Sequence, residues 1–323
     1  MKVCYDIPEV IFVPINLPDD LPANKILSEE NVFVMNQTRA TTQNIRPLRI
    51  MIVNLMPTKE VTETQLLRLL SNTPLQIEVD LIRTASHKPA HVSMEHLQNF
   101  YRTFEDIKDN YYDGMIITGA PVEKMSFEQV DYWDELCKIM DWATSHVFSS
   151  FFICWGAQAA LYHYYHVNKH LLDHKVTGVF HHKINTRYKK RKILRGFDYE
   201  FYAPHSRYTT VYKEDLETIP TLDVLAESEE AGVYLVAEKD GSRFFVTGHS
   251  EYDTDTLDKE YHRDLQRKDM IAEMPKNYYV DDDPNKDIKV KWRSHAYLLF
   301  ANWLNYYVYQ LTPFDLDELK HRK

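Results

Sequence analysis

Glycine is scarce in this sequence, with 8 in 323 residues against an average usage of about 7%. Scarcity at that level excludes glycine as filler. Each one kept is expected to have a backbone duty, above all Gly119, Gly156 and Gly248, which fall beside the candidate site described below. Cysteine is scarcer still. Cys4, Cys137 and Cys154 are odd in number and far apart, which argues against a disulfide framework and for a reducing compartment. No stretch approaches the roughly 18 apolar residues of a membrane span. The opening "MKVCYDIPEVIF" places Asp6, Pro8 and Glu9 where a secretory signal needs an unbroken apolar run. A cytoplasmic protein is therefore expected. Basic residues are outnumbered, 38 Lys and Arg against 48 Asp and Glu, for a net charge of -10. That field repels nucleic acid and anionic membranes, so neither is an expected partner. The basic run "YKKRK" at 188–192 reads as a solvated loop between strands.

What is present is an ordinary soluble composition, 44% hydrophobic and 27% charged, which argues against disorder and for one main domain with additions. The β-branched and apolar run "LRIMIVNL" (48–55) reads as a strand buried on both faces, and "VTETQLLRLLSN" after it as a helix. The alternation recurs: strand 75–83, helix 94–107, strand 113–119, helix 126–143, strand 146–154, helix 156–167. Strands alternating with helices imply parallel pairing through right-handed crossovers, hence a doubly wound α/β sheet. From about 176 the chain becomes strand-rich ("VTGVFHHKI", "TTVYK", "LDVLAES", "AGVYLVAEKD", "SRFFVTGH"), which suits an antiparallel extension of the same sheet. Helical additions follow at 255–268 and 292–311. The last is apolar around much of its circumference, and burial in the core or a homodimer contact would each explain it.

Ligands of open α/β sheets sit outside the carboxyl ends of the strands. The loops leaving such ends are "NLMPTKE" (54–60), "TGAPVE" (118–123) and "CWGAQ" (154–158), joined by "GHSEYD" (248–253) if the strand before it runs in the same sense. In "FFICWGAQAAL" a strand meets a helix at Cys154. That form lifts a nucleophile out of the sheet and puts it in the positive potential of a helix N-terminus, which favours thiolate. Phe152 stands where the usual elbow has glycine, so this stretch alone leaves a reactive and a structural cysteine equally open. Cys137, among apolar helix residues, reads as core. A thiol nucleophile wants an imidazole base and the base wants an orienting group. Of 15 histidines, His249 lies at a strand end, after a glycine and two residues before Glu251. His163, His166 and His170 have helical spacing that could suit a metal. No carboxylate or thiol is spaced to complete a set, so no metal is expected.

Taken together, "RPLRIMIVNLMPTKEVTETQLLRLLSNTPLQ", "GMIITGAPVE", "ICWGAQAAL", "FYAPHSRY", "VTGHSEYD" and "WRSHAYLLFANWLNYYVYQLTP" closely resemble the homoserine O-acyltransferases of the homoserine O-succinyltransferase type, over nearly the whole chain from about Val13. The resemblance implies a fold like the class I glutamine amidotransferases (flavodoxin-like), a single acyltransferase domain over 13–323, and an N-terminal extension over 1–12. It implies that Cys154 carries the acyl group, that His249 and Glu251 serve as base and orienter, and that Lys59 and the Trp155 N–H form the oxyanion site. Lys175, Ser206 and Arg263 match the family's substrate contacts. Two positions depart from the usual pattern: Thr58 stands where members often have a second lysine, and Ser250 where most have proline.

On this resemblance the partners are L-homoserine and acetyl-CoA, with acetyl-CoA a co-substrate and no cofactor, serving methionine biosynthesis; a homodimer is expected as well. In the family, glycine in the loop after "TGAP" accompanies succinyl-CoA and glutamate accompanies acetyl-CoA; Glu123 stands there, so acetyl transfer is expected. The alternatives are the same chemistry with succinyl-CoA, a glutamine amidotransferase-like cysteine hydrolase, and a non-catalytic protein that kept the fold.

Overall fold

The computed structural model describes residues 15–17, 20–30, 34–36, 46–87, 92–267 and 271–321; the expected extension, 1–12, and Cys4 lie outside them. Its strands are β1 (Ile15–Leu17), β2 (Val34–Asn36), β3 (Leu48–Val53), β4 (Ile77–Ile82), β5 (Tyr101–Arg102), β6 (Tyr112–Ile117), β7 (Val147–Ile153), β8 (His170–Ile184), β9 (Glu200–Thr210), β10 (Leu222–Ser228), β11 (Gly232–Glu238) and β12 (Arg243–Val246). All belong to one sheet, ordered β2-β1-β4-β3-β6-β7-β12-β11-β10-β8-β9, with β5 beside β4. Pairing is parallel from β2 through β12 and antiparallel from β12 to β9. The doubly wound reading and its antiparallel extension both hold.

Strand alternation explains the two cores. Ile50 and Ile52 face one side, where the helices Lys59–Leu70 and Arg293–Trp303 cover them; Met51 and Val53 face the other, under Trp133–His146 and Trp155–Tyr165. The apolar side chains of the central strands thus find apolar neighbours on both faces. The C-terminal helix is accounted for by this burial. Phe300 and Trp303 pack on Phe151 with ring centroids 5.0 and 5.4 Å apart, and the Trp303 indole donates to Ser149 at 3.0 Å.

Five sequence expectations need correction. The helix expected over 126–143 begins only at Trp133, after a separate 3-10 turn at Phe127–Gln129 that ends with Val130 extended, and runs on to His146. The helix expected over 94–107 is broken: Met94–Phe100 ends where Tyr101 pairs with Leu81 of β4, and Thr103 starts a separate turn, Phe104–Ile107, through a capping box with Asp106. The strand expected at 209–213 is the end of the longer β9, whose inward positions His205, Arg207 and Thr209 are polar and so hid its alternation. The helix expected over 292–311 ends at Trp303 and continues as a π-helical turn, Leu304–Tyr309. Cys137 is only half-buried, at the edge of the core, and burial still pushes its thiol up to about 11.

Candidate active site

Cys154 joins β7 to the helix Trp155–Tyr165 with φ 51° and ψ -115°, a conformation that costs a side-chain-bearing residue about 1–3 kcal/mol. The surroundings hold it there: its N–H donates to Val246 O at 2.7 Å, and its carbonyl accepts from Gln158 N at 3.1 Å. Gly156 permits the turn. A Cβ there would stand 2.6 Å from Thr118 O and 2.9 Å from Ile117 O, so the helix could not start this close to the end of β6. Trp155 is the first helical residue, and its N–H has no acceptor within the helix. Phe152, at the position where an elbow usually has glycine, stacks on Phe245 at 5.3 Å instead of crowding the turn.

β12 lies parallel to β7 with Val246 opposite Ile153, which sets the loop after β12 beside Cys154. His249 is 3% exposed. Its N–H donates to Pro204 O at 2.8 Å, its Nδ1 lies 2.6 Å from Glu251 Oε1, and its ring stacks on Tyr252. A Cβ placed on Gly119 would meet Cys154 Cβ at 3.3 Å and His249 Cε1 at 3.5 Å, so cysteine and histidine flank a glycine that leaves the space between them open. Burial alone would lower the histidine's pKa; the Cys154 sulfur and the Glu251 carboxylate, both hydrogen-bonded to it, overcome that and raise it well above the ordinary value. With Nδ1–H given to Glu251, Nε2 is left for the thiol. Ser250, in place of the usual proline, is tied by its hydroxyl to Tyr234.

Glu123 is turned inward from its loop. Its Oε1 accepts from Tyr208 N at 3.1 Å, and burial raises its pKa against the pull of that N–H and of His249, Lys175 and Arg207. Lys175 Nζ reaches Asp264 at 3.0 Å and Glu260 at 3.7 Å, Ser206 donates to Glu260, and Arg263 forks onto Asp264 at 2.9 and 2.7 Å with its side chain 60% exposed. These three expected substrate contacts therefore gather at one acidic pair. Lys59 opens the helix at the end of β3 and is 5% exposed. Its Nζ donates to Asn54 O, and burial lowers its pKa to about 8.

Sequence reasoning missed Arg207, Tyr252, Glu260 and Asp264. Arg207 is 1% exposed and donates to Thr209 O at 2.7 Å and to Ala231 O; burial lowers its pKa, with Cys154 and Glu123 opposing. Tyr252 and Glu260 bridge the two halves of the site, since the Tyr252 hydroxyl donates to Glu260 at 2.8 Å. For Glu260 and Asp264 the available signal was spacing, one turn apart on the helix that carries Arg263. The three helically spaced histidines are engaged separately, His163 with Asp141 at 2.7 Å and His170 with Asp215 at 3.1 Å, while His166 caps its helix. No group of three or more metal-ligating side chains occurs among the described residues. The arrangement sets a thiol, an imidazole and a carboxylate side by side at the strand ends, with the charged side chains of Lys175, Glu260, Arg263 and Asp264 gathered nearby.

Residues 14–314 match the family described as HTS, homoserine O-succinyltransferase. A protein of Catenibacterium mitsuokai named homoserine O-acetyltransferase is 70% identical over 96% of this chain and 100% of its own length. One of the same name from Acetivibrio thermocellus is 57% identical over 95% and 100%. Among solved structures, a glutamine amidotransferase from Thermotoga maritima aligns with a TM-score of 0.52 at 10% identity, covering 82% of this chain and 100% of that one, a likeness of fold.

Proposed function

The chain belongs to the homoserine O-succinyltransferase family, and we propose that it carries an acetyl group from acetyl-CoA to the hydroxyl of L-homoserine through a thioester on Cys154. The observation that carries this reading is the chain of contacts Glu251–His249–Cys154 at the carboxyl ends of β12 and β7, in a member of an acyltransferase family. His249 takes the Cys154 proton as the sulfur attacks the thioester carbonyl of acetyl-CoA. The carbon–sulfur bond to Cys154 forms, the bond to CoA breaks, and CoA leaves with the proton from His249. Because one thioester replaces another, this step needs charge stabilisation more than driving force. The Trp155 N–H and the Lys59 ammonium are the assigned donors to the oxyanion. The homoserine hydroxyl then gives its proton to His249 and attacks the acyl carbon, and the Cys154 sulfur departs and takes that proton from His249, closing the cycle.

Water competes for the same thioester, so the amino acid must be held by its charged ends. Arg263, exposed and now forked onto Asp264, is assigned to turn to the α-carboxylate, with Lys175 and Ser206 beside it, and the Glu260 carboxylate suits the α-ammonium. Glu123 supports the acetyl donor: its half-buried, inward-turned carboxylate opposes a second one at the far end of a succinyl group, while a methyl group adds no charge. The reading includes one acyltransferase domain over 13–323, a homodimer and a cytoplasmic site of action. Its support there is the family resemblance, the scarce cysteine and the lack, among the described residues, of a helix long and apolar enough to cross a membrane.

Intact-protein mass spectrometry tests the mechanism. Mixing with acetyl-CoA is expected to give an acetyl adduct on Cys154, discharged by L-homoserine to O-acetylhomoserine. Acetyl transfer that persists in Cys154→Ser without any adduct defeats it, and CoA-independent glutamine hydrolysis would favour the hydrolase reading instead.

A further inference from the structure

A second buried polar cluster lies beneath the first loop, one helical turn from Lys59. Glu63 is 1% exposed, His96 5% and Asn54 1%. The Tyr101 hydroxyl donates to Glu63 Oε1 at 2.6 Å, and His96 Nε2 lies 3.0 and 3.1 Å from the two oxygens of the same carboxylate. Because Tyr101 spends its one proton on Glu63, its oxygen is left as an acceptor, and Asn54 Nδ2 donates to it at 2.9 Å. Asn54 is in turn the hub of the loop. Its Oδ1 accepts from Met56 N at 3.1 Å, its Nδ2 reaches Lys59 O at 3.3 Å, and its own carbonyl takes the Lys59 ammonium.

Lys59 accordingly keeps only neutral backbone acceptors, Asn54 O and Met56 O, with its ammonium 5.4 Å above the Tyr101 ring. The carboxylate that would neutralise it directly is engaged elsewhere and acts on it only across space. A buried cation that must stabilise a transient oxyanion gains from this arrangement. A direct ion pair would hold the ammonium in the ground state, and a wholly apolar site would strip its proton.

We propose that Glu63 and Tyr101 are positioning residues for Lys59: the chain Glu63–Tyr101–Asn54 fixes the loop that aims the ammonium and keeps it charged without pairing it. The inference rests on the oxyanion role assigned to Lys59 above. The charged and titratable groups around Lys59 are Glu63, which favours its proton, Arg83, which opposes it, the Tyr101 phenol, and the His96 imidazole, itself near Glu60 at 3.9 Å.

The test is single-turnover release of CoA from acetyl-CoA as a function of pH. Lys59→Met and Lys59→Arg serve as controls. Lys59→Met is expected to slow release strongly, and Lys59→Arg, which does not titrate, to remove the part of the basic limb that belongs to Lys59. Wild-type rates in Lys59→Met would sink the oxyanion role and this inference with it. With that role intact, Glu63→Gln removes the distant negative charge, and the basic limb is expected to move down by about one pH unit. Tyr101→Phe keeps the ring under the ammonium but frees Asn54, so release is expected to slow about tenfold with the acetyl-CoA concentration for half-saturation unchanged. A folded Tyr101→Phe enzyme with the wild-type rate at every pH, or a folded Glu63→Gln enzyme whose limb stays in place, overturns the positioning role while leaving Lys59 in its own.

Discussion

Tyr252 lies flat against His249, with ring centroids 4.2 Å apart and planes 18° apart, and the hydroxyl of the same tyrosine donates to Glu260. One side chain therefore touches both the proposed base and the carboxylate proposed for the amino-acid substrate. Tyr252→Phe keeps the stack and loses the bond, so the KM for homoserine is expected to rise about tenfold, with kcat close to wild type. Tyr252→Leu loses the stack as well and should lower kcat. Steady-state kinetics decide, and an unchanged KM in the Phe variant ends the bridging argument.

Glu123 is expected to set donor choice through its half-buried, inward-turned carboxylate. Glu123→Gly removes the charge and opens space beside Tyr208 N, so the ratio of kcat/KM for succinyl-CoA over acetyl-CoA is expected to rise on the order of a hundredfold. Competition between the two donors at equal concentration reads the ratio directly. If the ratio stays at the wild-type value, Glu123 has no part in selecting the acyl group.

Gly156→Ala sets two effects against each other. Alanine is the better helix former by about 1 kcal/mol, yet its Cβ would sit inside contact distance of two backbone carbonyls, which cannot yield as a side chain can. Overpacking of that kind costs about 1–3 kcal/mol, so net destabilisation is expected together with a displaced Cys154. Thermal unfolding of the variant measures it, and a raised midpoint would show that the close approach is not rigid.

Two histidines outside the proposed catalytic pair are expected to make the fold acid-sensitive. His182 and His205 are buried with their Nε2 atoms 3.0 Å apart. Burial lowers His182 to about 3 and His205 well below its ordinary value. Both are neutral when folded and near pKa 6.5 when unfolded, so the unfolded chain binds more protons between those values. Their stabilisation is complete above about pH 6.5 and drains as pH falls, by up to about 1.4 kcal/mol per pH unit for each ring. His249 is shifted the other way and adds no slope below about pH 6.5. Denaturant midpoints from neutral pH down to about 5 should fall steadily, and His182→Asn should reduce the slope even where it lowers stability throughout. A flat profile in the parent protein would contradict the buried neutral pair.

Much of the site was legible because its parts stand at local transitions. Cys154 and His249 each follow an apolar strand, and Gly156 and Glu251 are within two residues of them, so composition and period alone marked the turns. Arg207 was not legible. It lies in a strand whose inward side chains His205, Arg207 and Thr209 are polar, so its alternation carries no hydrophobic signal. The break at Tyr101 was hidden for the opposite reason: 94–107 keeps a helical pattern, and pairing with β4 overrode it.

By itself, then, the sequence determined the parallel α/β character, the strand ends at which chemistry gathers, and the residue types available there. Those features are written in short-range periodicity, which each segment expresses alone. Only the tertiary structure decided that β12 would lie beside β7, that Glu123 would turn inward, and that Tyr252 would touch both His249 and Glu260. Such contacts join residues far apart in the chain. They are fixed by strand register and by the need of buried polar groups for partners, neither of which leaves a periodic trace.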